Sequence, residues 1–303
     1  MARAISLIED GSPESAGIMR ALFPHTGRVY TIGITGAPGA GKSTLTERLV
    51  AAVRRDRGTV GVLAVDPSSP FSGGALLGDR VRMQSHATDG DVFIRSMATR
   101  GHLGGIALAT PEAVRVLDAA GKDYVIIETV GVGQAEVAIA NACDTTLVVV
   151  NPGWGDAVQA AKAGLMEIAD VFVVNKADRN GAREAMRELK QMLDIADLDF
   201  KPEIVPTVAT RDEGLDGLWG AIRRHRSYQE EGDRLSQRRR RRIAREIRDI
   251  AVERQRRRIE GEAARLLDEL AEQVRLRRLD PYAAAEQLAQ KLPARPSGLE
   301  LER

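Results

Sequence analysis

The chain has 303 residues, of which 43% are apolar and only 4% aromatic, so aliphatic side chains must build its core. Its 44 basic and 43 acidic residues nearly cancel, and this balance does not by itself imply a nucleic-acid or membrane partner. One cysteine, Cys143, excludes an internal disulfide framework and a cysteine-based metal site, and it fits a reducing compartment such as the cytoplasm. We find no signal-peptide pattern and no apolar run long enough to span a bilayer.

After a short helical lead at residues 1–28, strand-like and helix-like segments alternate. Continuous apolar runs predict strands at 29–35, 59–65, 91–96, 124–129, 145–151, 171–176 and 203–209. The intervening stretches predict helices at 42–57, 110–121, 156–169, 180–195 and 214–229. Strands that are apolar on both faces are typical of parallel sheets. The alternation therefore predicts an α/β fold, a mostly parallel sheet flanked by helices, over residues 29–226.

The remaining residues, 227–303, have the composition of a helical arm. Residues 234–278 contain sixteen arginines and eight acidic residues. Apolar residues recur in this stretch at helical spacing: Ile243, Ile247, Ile250, Leu266, Leu270 and Val274. Asp280 followed by Pro281 predicts the N-cap and first residue of another helix.

The arginine run at 238–242 has two interpretations. It could bind nucleic-acid phosphates, but residues 234–278 contain no aromatic side chain on which bases could stack. Alternatively, the apolar stripe packs on a partner helix while the arginines are solvated or pair with interleaved glutamates. We favour the second interpretation and expect a homodimer formed through the arm.

The stretch GAPGAGKST, residues 36–44, lies between a predicted strand and a predicted helix. It matches G-x-x-x-x-G-K-[ST] at every fixed position, with Lys42 and Ser43 at its end. In such a loop backbone N–H groups surround phosphate oxygens, the lysine contacts the β- and γ-phosphates, and the serine hydroxyl can ligate Mg²⁺. The predicted nucleotide-binding residues are Gly36, Ala37, Pro38, Gly39, Ala40, Gly41, Lys42, Ser43 and Thr44.

The motif that predicts the base is N-K-x-D, formed here by Asn175, Lys176 and Asp178 after an apolar strand. A carboxylate accepts two hydrogen bonds from guanine N1–H and its 2-amino group, and adenine lacks this donor pair. The motif therefore predicts GTP rather than ATP. The segment Val208-Ala209-Thr210 lies where GTPases place a loop against the base. Many GTPases carry Ser-Ala in that loop, whereas this chain has Val208-Ala209-Thr210.

Carboxylates follow two predicted strands. Asp66 ends one strand, and Glu128 ends another, followed three residues later by Gly131 at the position where GTPases place a γ-phosphate-sensing glycine. The carboxyl ends of parallel strands meet at one edge of a sheet. Both carboxylates can therefore approach Mg²⁺ or the attacking water.

These segments together resemble the MeaB/MMAA family, once called the ArgK family. The resemblance covers roughly residues 20–290 and is carried by the P-loop and by longer strings: AVDPSSPFSGGALLGDRVRM, ATRGHLGGIA, ETVGVGQAE and GDAVQAAKAGLMEIADVFVVNKAD. Members are P-loop GTPases that act as chaperones for cobalamin-dependent acyl-CoA mutases such as methylmalonyl-CoA mutase, and they dimerise through C-terminal helices.

The resemblance also implies roles for single residues. It places Asp66 and Glu128 beside Mg²⁺ and Asp79 in a switch that responds to the nucleotide. It places Asp156 and Lys162 in a further switch that links nucleotide state to the partner mutase. We infer no cobalamin site in this chain itself.

Three other functions are compatible with a P-loop. A nickel metallochaperone GTPase would need a Cys/His cluster, whereas the four histidines are scattered along the chain. A nucleic-acid-binding GTPase would use the arginine-rich arm. An ATPase serving amino-acid transport, an older proposal for the family, is disfavoured by Asp178.

Overall fold

The computed structural model describes residues 1–66, 86, 88–98, 109–129, 135–153 and 167–291. In this part of the chain seven strands form one sheet in the order β3-β2-β4-β1-β5-β6-β7, and every neighbouring pair is parallel. The strands are β1 Tyr30–Gly36, β2 Val60–Asp66, β3 Val92–Ala98, β4 Tyr124–Thr129, β5 Thr145–Val150, β6 Val171–Asn175 and β7 Glu203–Thr207. The predicted α/β class with a parallel sheet is confirmed.

The described helices flank this sheet and form the C-terminal arm. They are α1 Ala2–Glu9, α2 Ser15–Leu22, α3 Lys42–Arg55, α4 Thr110–Ala119, α5 Ala135–Ala142, α6 Ala182–Ile195, α7 Leu215–Glu230, α8 Arg234–Glu260, α9 Ala264–Arg275 and α10 Pro281–Lys291. None of these helices combines the length and apolarity that crossing a bilayer requires.

The sheet is buried on both faces because successive side chains of a strand point to opposite sides. In β4, Ile126 packs in the cluster that contains α3 and α7, whereas Val125 and Ile127 pack in the cluster that contains α1, α4 and α5. Close packing also explains Gly33 in β1, because a Cβ there would lie 2.9 Å from the Sγ atom of Cys143.

The chain divides into two compact units, residues 1–238 and residues 239–303. In the second unit, α9 and α10 share a small apolar cluster that includes Leu270 and Leu288. The Oδ1 atom of Asp280 accepts hydrogen bonds from the backbone N–H groups of Tyr282 and Ala283, at 2.9 and 3.1 Å. The predicted N-cap before Pro281 is thus confirmed.

Several arginines of α8 pair with glutamates on the same helix. Arg256 contacts Glu253 and Glu260 at 2.8 and 3.0 Å, and Arg257 contacts Glu253 at 2.8 Å. These pairs have the (i, i+3) and (i, i+4) spacings that stabilise helices.

A buried polar network lies at the amino ends of β5 and β6, within the first unit. Arg238 holds both carboxylate oxygens of Asp170, at 3.0 and 2.9 Å, and donates from Nε to the carbonyl oxygen of Cys143 at 3.2 Å. The imidazole of His225 lies 3.3 Å from the same carboxylate. Arg238 is therefore a bidentate partner of a buried acid, unlike the exposed Arg240 two residues later.

The protonation of Asp170 follows from this arrangement. Burial alone would raise the pKa of its carboxyl group, but the hydrogen bond from His225 and the charge of Arg238 outweigh burial and hold that pKa below its ordinary value. The other ring nitrogen of His225 lies 2.8 Å from the hydroxyl of Thr145, which is 2.6 Å from the hydroxyl of Tyr30. Burial raises the pKa of Tyr30, so its phenol stays protonated.

Candidate nucleotide-binding site

The site lies at the sheet edge where β1, β4, β6 and β7 end, and its first part is the loop between β1 and α3. Gly36, Gly39 and Gly41 have φ angles of 137°, 74° and 94°, which favour glycine. A Cβ would lie 2.1 Å from the carbonyl oxygen of Val149 at Gly36, and 2.3 Å from Nδ2 of Asn175 at Gly41. Gly36 and Gly41 therefore leave no room for a side chain, and the loop has the shape that lets backbone amides surround a phosphate.

Lys42 begins α3 and is buried, with 6% of its surface exposed. Its ammonium group donates to the carbonyl oxygens of Gly36 and Ala37, at 2.8 and 3.0 Å. These bonds hold a positive charge against the loop. The geometry places the cation where the motif requires it for the β- and γ-phosphates.

Asn175, at the end of β6, connects the phosphate loop to the loop after β7. Its Nδ2 donates to the carbonyl oxygen of Ala40 at 2.8 Å. Its Oδ1 accepts from the hydroxyl of Thr207 and from the backbone N–H of Ala209, both at 3.2 Å. The asparagine side chain, which is 2% exposed, therefore fixes both loops relative to one strand.

Lys176 lies next to Asn175 and adopts a left-handed backbone conformation with φ of 58°. This conformation costs about 1–2 kcal/mol for a residue with a Cβ. Its ammonium group donates to the carbonyl oxygen of Gly39 at 2.7 Å. The phosphate loop is therefore held at a second point by the N-K-x-D motif.

Glu128, in β4, is buried and faces α3. Its Oε1 accepts from the hydroxyl of Ser43 at 2.7 Å, and its Oε2 from the hydroxyl of Thr46 at 2.8 Å. The P-loop motif predicts Ser43 and the end of the strand predicts Glu128, but neither predicts Thr46. Its position one turn after Lys42 on the same helix face is the signal that could have identified it.

The loop after β7 is held by its own backbone and by α3. Val208 donates from its N–H to the carbonyl oxygen of Glu213 at 3.0 Å, and Arg211 donates from its N–H to that of Val208 at 2.8 Å. Arg48 of α3 donates to the carbonyl oxygen of Ala209 at 3.2 Å and lies 3.2 Å from Asp212. Thr210 lies in this loop, between the residues that Arg48 contacts.

Asp178, the predicted base-reading carboxylate, lies beside that loop. Its Oδ2 accepts a hydrogen bond from Nη2 of Arg211 at 3.1 Å, a contact that the motif did not indicate. A cleft of about 320 Å³ lies next to it, lined by Ala177, Asp178, Pro206, Thr207, Val208, Glu213 and Gly214. This volume is at the lower end of the range for ligand pockets.

Of the predicted site residues, one is placed only by its backbone and four are not placed. Asp66 ends β2, at the same sheet edge as Glu128, but its side chain lies outside the described residues. Asp79, Gly131, Asp156 and Lys162 all lie outside the described residues, as does most of the predicted helix 156–169. In the part of the chain that is described, no three His, Cys, Asp or Glu side chains group as metal ligands would.

The comparison with protein families decides the assignment. The model for the methylmalonyl-CoA mutase-associated GTPase MeaB matches residues 1–264. The chain belongs to the MeaB family. It is therefore a P-loop GTPase, and GTP and GDP are its nucleotides.

Individual relatives of this MeaB-family chain agree. A protein of Pyrococcus abyssi is 48% identical over 297 residues, covering 96% of this chain and 92% of that protein. A fused isobutyryl-CoA mutase of Paraburkholderia xenovorans is 41% identical over 211 residues, which cover 64% of this chain and 17% of that protein. The crystal structure of an LAO/AO transport system kinase has a TM-score of 0.74 and 28% identity, covering 95% of this chain and 91% of that structure.

Proposed function

We propose that this GTPase binds a cobalamin-dependent acyl-CoA mutase and couples GTP hydrolysis to loading, protection or reactivation of the mutase cofactor. The observation that carries the proposal is the fused relative, in which a region 41% identical to this chain is part of an isobutyryl-CoA mutase. Methylmalonyl-CoA mutase is the first candidate partner, because the matching family model names it. The proposed setting is the cytoplasm, which the single cysteine supports.

The roles we propose for the site residues follow from their contacts. The loop from Gly36 to Thr44 holds the phosphates, and Lys42 stabilises the negative charge that develops on the transferred phosphoryl group. Asp178 accepts hydrogen bonds from guanine, while Asn175 and Lys176 fix the loops around it. Asp66 or Glu128 orients the attacking water.

The same contacts support a magnesium site. Ser43 and Glu128 offer oxygen ligands 2.7 Å apart, and Asp66 ends a strand at the same sheet edge. Hydroxyl and carboxylate oxygens are the ligands that Mg²⁺ prefers. We propose that Ser43, Asp66 and Glu128 hold the ion, which when bound neutralises phosphate charge.

Coupling to the mutase can be tested through binding. We expect the dissociation constant of the full chain for its mutase to differ by about 5- to 150-fold between GDP and a non-hydrolysable GTP analogue, a range typical of allosteric coupling. Calorimetry with methylmalonyl-CoA, isobutyryl-CoA and ethylmalonyl-CoA mutases measures this difference. Absence of a complex with all three, or equal affinity in both nucleotide states, would contradict the proposal.

We further propose that the arm forms a homodimer. Ile243, Ile247 and Ile250 lie on one face of α8 and are 45%, 63% and 41% exposed. Ile247→Glu is expected to weaken the dimer by about tenfold or more, because it buries a charge in an apolar contact. Sedimentation equilibrium measures this change, with Ile195→Glu on α6, where the side chain is 88% exposed, as the control. Equal dissociation constants for both variants would argue against this interface.

A further inference from the structure

We propose that Arg211 determines guanine affinity by competing with the base for the carboxylate of Asp178. The inference rests on the proposed role of Asp178 in base recognition. Among the residues that the structure describes, the guanidinium of Arg211 is the one partner of that carboxylate, with Nη2 and Oδ2 3.1 Å apart.

The competition follows from the chemistry of the two donors. The guanine edge that a carboxylate reads consists of N1–H and the 2-amino group on the same carbon, which is a guanidine fragment. The arginine side chain ends in the same arrangement of parallel N–H donors. Arg211 therefore presents to Asp178 an internal equivalent of the guanine edge, and the N–H that it donates to Oδ2 occupies one of the acceptor positions that the base would use.

The contact has the strength expected of a displaceable group. It involves a single N–H and one oxygen, and the side chains of Arg211 and Asp178 are 59% and 32% exposed. Ion pairs with this exposure are worth little, because water screens them. Arg211 can thus lower guanine affinity severalfold without blocking the site.

The same guanidinium also lies near a second carboxylate, which it can keep as a partner when the base displaces it from Asp178. The Nη1 atom of Arg211 lies 3.8 Å from Oε1 of Glu213. The backbone of this loop is fixed by the hydrogen bonds between Val208, Arg211 and Glu213. Only the arginine side chain has to move, away from Asp178 and closer to Glu213, when the base is bound.

The test is calorimetry of GDP and ADP binding to the full chain. Arg211→Ala is expected to bind GDP about two- to fivefold more tightly, the range set by an exposed ion pair, with ADP affinity unchanged. In an Asp178→Asn background the same change is expected to give no gain in GDP affinity.

Glu213→Gln is expected to weaken GDP binding by about twofold, because the guanidinium loses its alternative partner. The control is Arg187→Ala, which removes another exposed arginine paired to a carboxylate and is expected to change neither affinity.

Weaker or unchanged GDP binding in Arg211→Ala, or an equal gain for ADP, would overturn the competition, and so would unchanged or tighter GDP binding in Glu213→Gln. A different result would contradict the proposed base site itself. If Asp178→Asn keeps the preference of the wild-type chain for GDP over ADP, Asp178 does not read the base. If Asp178→Asn removes that preference while Arg211→Ala gives no gain, only the role of Arg211 is refuted.

Discussion

Lys42→Ala is expected to lower the turnover of GTP by about a hundred- to a thousandfold, the loss typical of removing one fixed group that stabilises transition-state charge. The ammonium group is held against the phosphate loop by the carbonyl oxygens of Gly36 and Ala37. It therefore requires little reorganisation when charge develops on the phosphoryl oxygens. Single-turnover hydrolysis at saturating GTP measures the effect separately from binding.

A matched control for this variant is Lys122→Ala. Lys122 is also buried, at 7% exposure, and also donates to a backbone carbonyl, that of Asp91 at 2.9 Å. It precedes β4 and so lies at the sheet edge opposite the phosphate loop. We expect the Lys122→Ala variant to hydrolyse GTP at the wild-type rate. A Lys42→Ala protein that folds, binds GTP and hydrolyses it within about threefold of the wild-type rate would refute the assignment of Lys42.

Arg238→Ala is expected to lower the free energy of unfolding of the first unit by about 3 kcal/mol. The substitution leaves the carboxylate of Asp170, which is only 14% exposed, without its bidentate partner. The value lies at the lower end of the range for broken buried pairs, because 27% of the Arg238 side chain remains exposed. Urea denaturation followed by circular dichroism measures it.

Arg240→Ala removes an exposed arginine from the same run and is expected to change stability by no more than about 0.5 kcal/mol. If the two variants are equally stable, the buried pair does not hold the start of α8. The comparison separates one structural arginine from a run that the sequence presents as five equivalent charges.

Acid sensitivity provides a further readout of the same pair. Because the pKa of Asp170 is lower in the folded protein than in the unfolded chain, its contribution to stability is present above about pH 4 and is lost as pH falls through the folded value. Removing Arg238 takes away one of the two groups that lower that pKa, so the pKa of Asp170 is higher in the variant than in the wild type. Acid unfolding of the variant should therefore begin at a higher pH than that of the wild type.

The regular elements could be predicted from sequence because each is encoded locally. All seven predicted strands are present with ends shifted by at most two residues, and α3 begins at Lys42, as the P-loop motif requires. Apolar runs, glycine positions and the Asp280-Pro281 pair act over a few residues. Local pattern was sufficient for the fold class, for the regular elements and for the location of the phosphate loop.

The contacts that complete the site could not be predicted in this way. Thr46 and Glu128 are 82 residues apart in sequence, Asn175 and Ala40 are 135 apart, and Arg211 and Asp178 are 33 apart. Each depends on which strands become neighbours in the sheet, and the order of strands differs from their order along the chain. A residue without a motif, such as Arg211, therefore becomes visible only when the sheet is assembled, and the helical position of Thr46 does not by itself indicate Glu128 as its partner.

The burial of Cys143 has a practical consequence for spectroscopy. Its sulfur is packed against β1, with 1% of the residue exposed, and the chain has no other thiol. A maleimide dye should therefore react slowly with the native protein and rapidly with a cysteine introduced at an exposed position such as Ile195. Selective fluorescent labelling then does not require replacement of Cys143. The slow rate at which the native thiol reacts measures how often the core opens transiently.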